Sequence, residues 1–330
     1  MPKTAKLPGP ARGQPSRPAD AGRCELIRSN GVDHVVHTDD GVALHVRVEG
    51  MQDAVMTVVL SHGFGMNSDS WCFQRAALAR TARVVSWDQR GHGRSGYGSP
   101  GSASIDQLGR DLWAVLEAFA GPGPVVLAGH SMGGMTIMAL AAEHPQLFDE
   151  QVQGVVLVAT SAGPIGIPSL GVLPGAAAYR AVGRAASALE PAIRLLGRLP
   201  GNGTVIREMI RRFGFASRVS ASVLDIAVEM MLGTPLRVMA DVLPCFRSHD
   251  KLVALEALRR VSTLVLVGER DVITPPRYSR QIAAAVPGAD LVVVPNAGHI
   301  LMLERPVLVN EWLRAMIAPV RAEPEEVEEA

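Results

Sequence analysis

The sequence predicts an α/β fold: a mostly parallel eight-stranded sheet with helices on both faces and a helical insertion. Three observations predict it. Short valine- and leucine-rich runs alternate with helical patterns, the order of a parallel sheet with crossover helices. The later runs are continuously apolar, as strands buried on both faces must be. One long stretch, residues 163–244, breaks the alternation.

The elements follow in order. Strands are expected at His34–His37, Ala43–Glu49, Thr57–Leu60, Arg83–Trp87, Val125–Ala128, Gly154–Ala159, Thr263–Val267 and Asp290–Val294. Helical patterns fall at Ser70–Arg80, Ser104–Ala120, Met132–Glu143, Pro276–Ala285 and Pro306–Ile317. Between 163 and 244 the chain has helical segments punctuated by Gly and Pro and no strong strand signal. It reads as a lid over the carboxyl ends of the strands, where open α/β sheets bind ligands. Residues 1–23, rich in Pro, Gly, Ala and Arg, offer little to bury and read as a disordered extension. The acidic tail at 320–330 reads the same way. The core is then 24–162 together with 245–319.

Composition narrows the class. The 330 residues carry 32 basic and 32 acidic side chains, a formal net charge of +0. That balance gives no reason to expect nucleic acid as a partner. Hydrophobic residues make up 48% of the chain, enough for a large core. Cys24, Cys72 and Cys245 are scattered, with neither metal spacing nor a disulfide framework, which fits a reducing compartment. No signal-like apolar run is present, and none reaches the ~18 residues needed to span a bilayer. These features point to a cytoplasmic protein without a transmembrane segment.

The most informative run is Gly129-His130-Ser131-Met132-Gly133-Gly134, a G-x-S-x-G pentapeptide between an apolar run and a helical pattern. A serine on so tight a strand-to-helix turn must take strained backbone angles, and its neighbours must be small. The turn would hold Oγ clear of the sheet, within reach of a base on one side and a substrate carbonyl on the other. The Met132 N–H would then point to where an oxyanion forms. The plainer alternative is a helix-capping serine. The pattern points to a hydrolase with a serine nucleophile.

Four further motifs are spaced along the chain. Ser61-His62-Gly63-Phe64-Gly65 follows an early strand, and Asp88-Gln89-Arg90-Gly91-His92-Gly93-Arg94-Ser95 the next. Gly268-Glu269-Arg270-Asp271 follows the first strand after the insertion, and Asn296-Ala297-Gly298-His299 the last. With these in place the chain resembles the α/β-hydrolase fold family over roughly residues 32–317. The resemblance implies a triad in the chain order Ser131, Asp271, His299. Ser131 would be the nucleophile, His299 the general base and then acid, and Asp271 the group that orients His299. The resemblance also implies a second oxyanion donor at the Phe64 backbone N–H. The expected substrate-binding residues are His62, Gly63, Phe64, Met230 and Met231, with core packing as the plainer reading of the methionines. His130 is expected to point away from the site, and the Asp88–Gly96 segment to tie its loop down. Asp241 and Asp250 are rivals to Asp271 only if the register of the insertion is misread.

Relatives on this fold cleave esters, thioesters, epoxides, carbon–carbon and carbon–halogen bonds, or form peracids. Epoxide hydrolases and dehalogenases use an aspartate nucleophile, whereas this turn holds Ser131. The insertion also has only Tyr179, and epoxide hydrolases use two lid tyrosines. An apolar insertion suggests an acyl chain held by burial, at roughly 0.8 kcal/mol per methylene. The preferred expectation is a carboxylic ester hydrolase, lipase- or esterase-like. The alternatives are a cofactor-free perhydrolase or haloperoxidase, a thioesterase or a carbon–carbon bond hydrolase using the same triad. Neither a metal nor an organic cofactor is implied. The partner is a small-molecule ester, with a lipid-like one included. The insertion carries nine arginines against five acids. A solvated helical face is the plain reading of that excess, and weak peripheral contact with an anionic lipid surface the sharper one.

Overall fold

The computed structural model describes residues 31–165 and 202–318. The expected extension at 1–23, the acidic tail at 320–330 and insertion residues 166–201 lie outside them. An eight-stranded sheet runs β1 (Val32–His37), β2 (Ala43–Gly50), β4 (Arg83–Trp87), β3 (Thr57–Ser61), β5 (Val125–His130), β6 (Val152–Val158), β7 (Ser262–Gly268) and β8 (Asp290–Val294) in spatial order. Strand β2 pairs antiparallel with both β1 and β4, and every other pairing is parallel. The eight expected strands are all present, each within two residues of its expected ends.

Alternation along the central strands builds a core on each face. Val58, Leu60, Val126, Ala128, Val156, Val158, Leu264 and Leu266 share one buried cluster. Their neighbours Val59, Val125, Leu127, Val155, Leu157 and Val265 share the other. Successive side chains of a strand point to opposite faces, so these strands need apolar residues at every position. Residues of Cys72–Leu78 and Pro306–Ile317 cover the first face. Residues of Ile105–Phe119, Met132–Glu143 and Pro276–Ala285 cover the second.

Two helices differ from expectation. The Ser70–Arg80 pattern resolves into a 3-10 turn at Ser68–Trp71 and an α-helix at Cys72–Leu78. There the Asn67 side chain accepts the Asp69 N–H and caps the turn. The second helix begins at Ile105 because Ser104 caps it, accepting the Gln107 N–H at 3.0 Å. The described part of the insertion is helical, at Asn202–Gly214, Ala221–Gly233 and Leu236–Val242. The first two pack on the sheet face that carries Val58 and Leu60, through Ile210, Val223, Leu224 and Val228. The third joins a separate cluster in which Val238 and Val242 meet Met132, Met135, Ile165 and Phe246.

The expectation of no disulfide framework needs correcting. Cys72 is disulfide-bonded, and only Cys245 among the described residues is a free thiol. The compartment inference therefore loses its cysteine support. No helix among the described residues is long and apolar enough to cross a membrane.

Candidate active site

Strand β5 delivers Ser131 at the mouth of the sheet. Its φ of 51° and ψ of −114° lie where side chains are rarely tolerated. The turn closes tightly because its flanks are glycine. A Cβ on Gly133 would stand 2.2 Å from the Ser61 carbonyl oxygen, so only glycine lets the helix abut β3. The Ser131 N–H donates to Val158 O at 2.9 Å, and Thr160 Oγ1 donates to Ser131 O at 2.7 Å. These bonds hold the strained residue from both sides. Its hydroxyl makes no capping hydrogen bond to the following helix, so the capping alternative fails.

The hydroxyl instead lies 3.1 Å from His299 Nε2. His299 Nδ1 lies 2.9 Å from Asp271 Oδ2. A neutral imidazole that donates from Nδ1 to the carboxylate presents Nε2 as an acceptor for the serine proton. The Asp271 carboxylate is fixed in turn. Its Oδ1 accepts the Ile273 and Thr274 N–H groups, each at 2.9 Å. Burial alone would raise the Asp271 carboxyl, but the His299 ring and these donors hold it below its ordinary value. The structure thus brings Ser131, His299 and Asp271 into one hydrogen-bonded chain. Asp241 instead accepts from the Tyr97 hydroxyl and Gly101 N–H, and exposed Asp250 from Leu252 N–H.

The loop after β3 lies beside Ser131. A Cβ on Gly63 would stand 3.3 Å from Ser131 Cβ and 2.5 Å from His130 Nδ1. The Met132 N–H heads its helix, where the first N–H groups have no intrahelical acceptor. Among the described residues, the Phe64 N–H donates to no loop carbonyl. The Phe64 ring makes an edge contact with Phe246, with centroids 5.4 Å apart. Met231 rests on the same loop, where a Cβ on Gly65 would stand 2.7 Å from its Sδ.

Two expected substrate contacts need correcting. His62 is wholly buried, its Nδ1–H donating to Gly63 O at 2.8 Å and its Nε2 accepting the Gln89 N–H at 2.8 Å. With both nitrogens engaged it shapes the loop and presents nothing to a substrate. Met230 is a core side chain in the cluster of Leu224 and Val228.

Three supporting residues escaped the sequence reading. Thr274 Oγ1 lies 2.8 Å from Asp271 Oδ2, 3.2 Å from His299 Nδ1 and 2.8 Å from Ala159 O. His130 lies against His299, with ring centroids 4.8 Å apart, and its Nε2 donates to His299 O at 3.0 Å. Gln89 Oε1 accepts a hydrogen bond from the Thr136 hydroxyl at 2.7 Å and its Nε2 donates to His62 O, joining the β3 loop to the helix after Ser131. A G-x-S-x-G match carries no signal for such partners; they appear only once the strand ends converge.

The Asp88–Gly96 segment does tie its loop down. Asp88 accepts the Ser68 N–H at 2.8 Å and the Arg94 N–H at 2.9 Å. The described arginines of the insertion are largely answered within the protein. Arg207 pairs with Asp225, Arg211 with Glu208, and Arg237 stacks on Tyr97 at 5.5 Å.

Three buried histidines surround the loop, and each is held below the ordinary imidazole range. Burial is the largest cause for all three. For His92 burial and neighbouring His62 bring the value down to about 3. The folded state keeps these rings neutral, whereas the unfolded chain binds protons below about 6.5. Stability is therefore full above that value and falls as pH drops below it, by up to about 1.4 kcal/mol per pH unit for each ring, the fall from His92 continuing to about 3. The depressed carboxylates act lower, with Asp40 contributing until pH nears about 2. Urea unfolding between pH 7 and 4 will show a positive slope of stability with pH. The His92→Gln variant will flatten it, and an unchanged slope would show that His92 is not a source.

The fold agrees with the comparisons to known proteins. A model of the alpha/beta hydrolase family matches residues 58–312, and the chain belongs to that family. It is 30% identical over 255 residues to the sn-1-specific diacylglycerol lipase ABHD11 of Mus musculus, covering 76% of each chain. It is 27% identical over 265 residues to a putative carbamate hydrolase, RutD, of Klebsiella pneumoniae, covering 73% of this chain and 84% of that one. Among solved structures, a thermophilic esterase from Thermogutta terrifontis superposes with a TM-score of 0.68 at 27% identity, covering 87% of this chain and all of the other. The protein is thus a hydrolase of an esterase-like family whose relatives act on varied substrates.

Proposed function

We propose that the protein hydrolyses carboxylic esters of an apolar acyl chain through an acyl-enzyme on Ser131. The observation that carries the reading is the chain Asp271 Oδ2–His299 Nδ1 at 2.9 Å and His299 Nε2–Ser131 Oγ at 3.1 Å. A serine hydroxyl is a poor nucleophile unless a base takes its proton as it attacks. His299 takes that proton while Oγ bonds to the ester carbon. The resulting oxyanion is met by the Phe64 and Met132 N–H groups, a donor pair in which each typically contributes ~10²–10³ in rate. His299 then protonates the leaving alcohol. In the second half it draws a proton from water, hydroxide adds to the acyl carbon, and the acid leaves as Oγ regains its proton.

Support for the apolar acyl chain comes from the cover of the site. Met132 and Met135 on the Ser131 side belong to one apolar cluster with Ile165, Val238 and Phe246, and Phe64 packs against it. We read the described part of the insertion, residues 202–244, as a lid that holds the acyl chain there. Met231, lying on Gly65, is the adaptable wall of that pocket.

The test is hydrolysis of nitrophenyl esters of graded acyl length by the wild-type protein and by Ser131→Ala. A Ser131-dependent rate with an optimum in chain length is expected. Absence of a Ser131-dependent rate at every length would overturn the ester reading.

A further inference from the structure

Glu304 lies outside the Ser131–His299–Asp271 chain and belongs to none of the motifs read from the sequence. Its side chain is fully buried. Its Oε2 accepts the N–H of Gly298, the residue before His299, at 2.6 Å. Its Oε1 accepts the Ser217 N–H at 2.6 Å, the Ser217 hydroxyl at 2.7 Å and the Ala216 N–H at 3.1 Å. Ala216 and Ser217 sit in the insertion, just past the helix Asn202–Gly214. A buried carboxylate is stable only when donors answer it. Here three of the four donors are backbone N–H groups, so the carboxylate fixes main chain on both sides.

The contact it fastens is close. A Cβ on Gly298 would stand 2.8 Å from Ala216 N and 2.9 Å from Gly214 O, and the Ile300 N–H donates to Gly214 O at 2.8 Å. Arg305 adds a brace, donating to Ser217 Oγ and to Asn296 O, each at 2.7 Å. Asn296 is one of three non-glycine residues with positive φ among the described residues, in the left-handed region that asparagine tolerates best after glycine.

We propose that Glu304 is a positioning residue for His299. Its carboxylate bolts the insertion's 214–217 turn to the loop that orients the imidazole, so seating the insertion and aligning the base are a single event. The proposal rests on the reading of His299 as the base. Glu304 itself touches neither the substrate nor a reacting atom. Its effect comes through distance, since displacing a catalytic group by about 1 Å can lower a rate by up to ~10²-fold.

The experiment compares the full chain with Glu304→Gln, in which one acceptor oxygen becomes an amide NH2 facing N–H groups. Two readouts report His299 directly. One is the second-order rate of Ser131 labelling by a fluorophosphonate, and the other is the downfield proton resonance of His299 Nδ1–H. The variant is expected to label on the order of 10–100-fold more slowly. Its resonance is expected to shift or broaden, and kcat to fall more than KM rises. If Glu304→Gln fails to fold, Ser217→Ala removes one donor and gives a smaller change in the same direction. Wild-type labelling rates and an unmoved resonance in the folded variant would overturn the proposal. A wild-type protein that fails to label would overturn the nucleophile assignment instead; the resonance would still test Glu304, because it depends only on the His299–Asp271 bond.

Discussion

Ser131→Ala and His299→Ala will each lower kcat by roughly 10⁴–10⁶, and the double variant will be no slower than either single one. The reason is that the two side chains act as one unit. Ser131 Oγ lies 3.1 Å from His299 Nε2, and without that acceptor its proton has nowhere to go as the carbon–oxygen bond forms. Without the hydroxyl, the imidazole has no nucleophile to activate. The residual rate would come from binding and from the Phe64 and Met132 N–H groups, which neither substitution removes. Asp271→Asn will cost less, because Thr274 Oγ1 at 3.2 Å still meets the ring at Nδ1. Steady-state kinetics on a nitrophenyl ester measures all four proteins. Additive losses in the double variant would show that Ser131 and His299 act separately.

The largest effect on stability is expected at Arg90. Its guanidinium is fully buried and bracketed by two carboxylates. Asp111, equally buried, accepts from Nε and Nη2 at 2.6 Å each, and Asp40 from Nη1 at 2.8 Å and Nη2 at 3.0 Å. Burial opposes the charge on Arg90, but the bonds to Asp111 and Asp40 outweigh it and hold the guanidinium above its ordinary value. The triad joins the loop after β4 to the Ile105–Phe119 helix and to the turn before β2. Asp111→Ala will destabilise the fold by about 3 kcal/mol, because it leaves the buried cation with a single, partly exposed carboxylate partner. Asp40→Ala, at a partly exposed position, will cost about 1 kcal/mol or less. Replacing both Arg90 and Asp111 by apolar residues of similar volume will cost far less than Asp111→Ala alone. Urea denaturation of the three variants decides the matter. A loss below about 1 kcal/mol for Asp111→Ala would mean that the pair contributes little.

The sheet was legible because its strands are written as continuous apolar runs. The β1 edge, whose positions are exposed or half-buried, was visible only as the short run His34–His37, two residues short of its observed start. Helices of four residues, such as Leu147–Glu150, Leu255–Leu258 and Leu301–Glu304, were not. A segment that short completes barely one turn and shows no period. The Ser70–Arg80 pattern overran its helix, which stops at Leu78, where the chain turns back to start β4.

Within the site, legibility followed distance along the chain. Ser131, Asp271 and His299 each follow a strand, so strand order alone brings them to one end of the sheet. Gln89 and Glu304 act across 47 and 88 residues respectively, through contacts that no local pattern encodes. His62 misled because a histidine beside a motif looks functional, whereas burial and two internal hydrogen bonds give it a structural task.

The backbone of Ser131 carries one more implication. Angles of 51° and −114° suit glycine far better than any residue with a Cβ, and holding a side chain there costs on the order of 1–3 kcal/mol. Ser131, the proposed nucleophile, therefore occupies a place where the chain would be more stable without a side chain. A lineage of this protein selected only for survival in heat would drift towards glycine at position 131. It would become sturdier as it lost its chemistry, and only continued demand for the reaction keeps a serine on that turn.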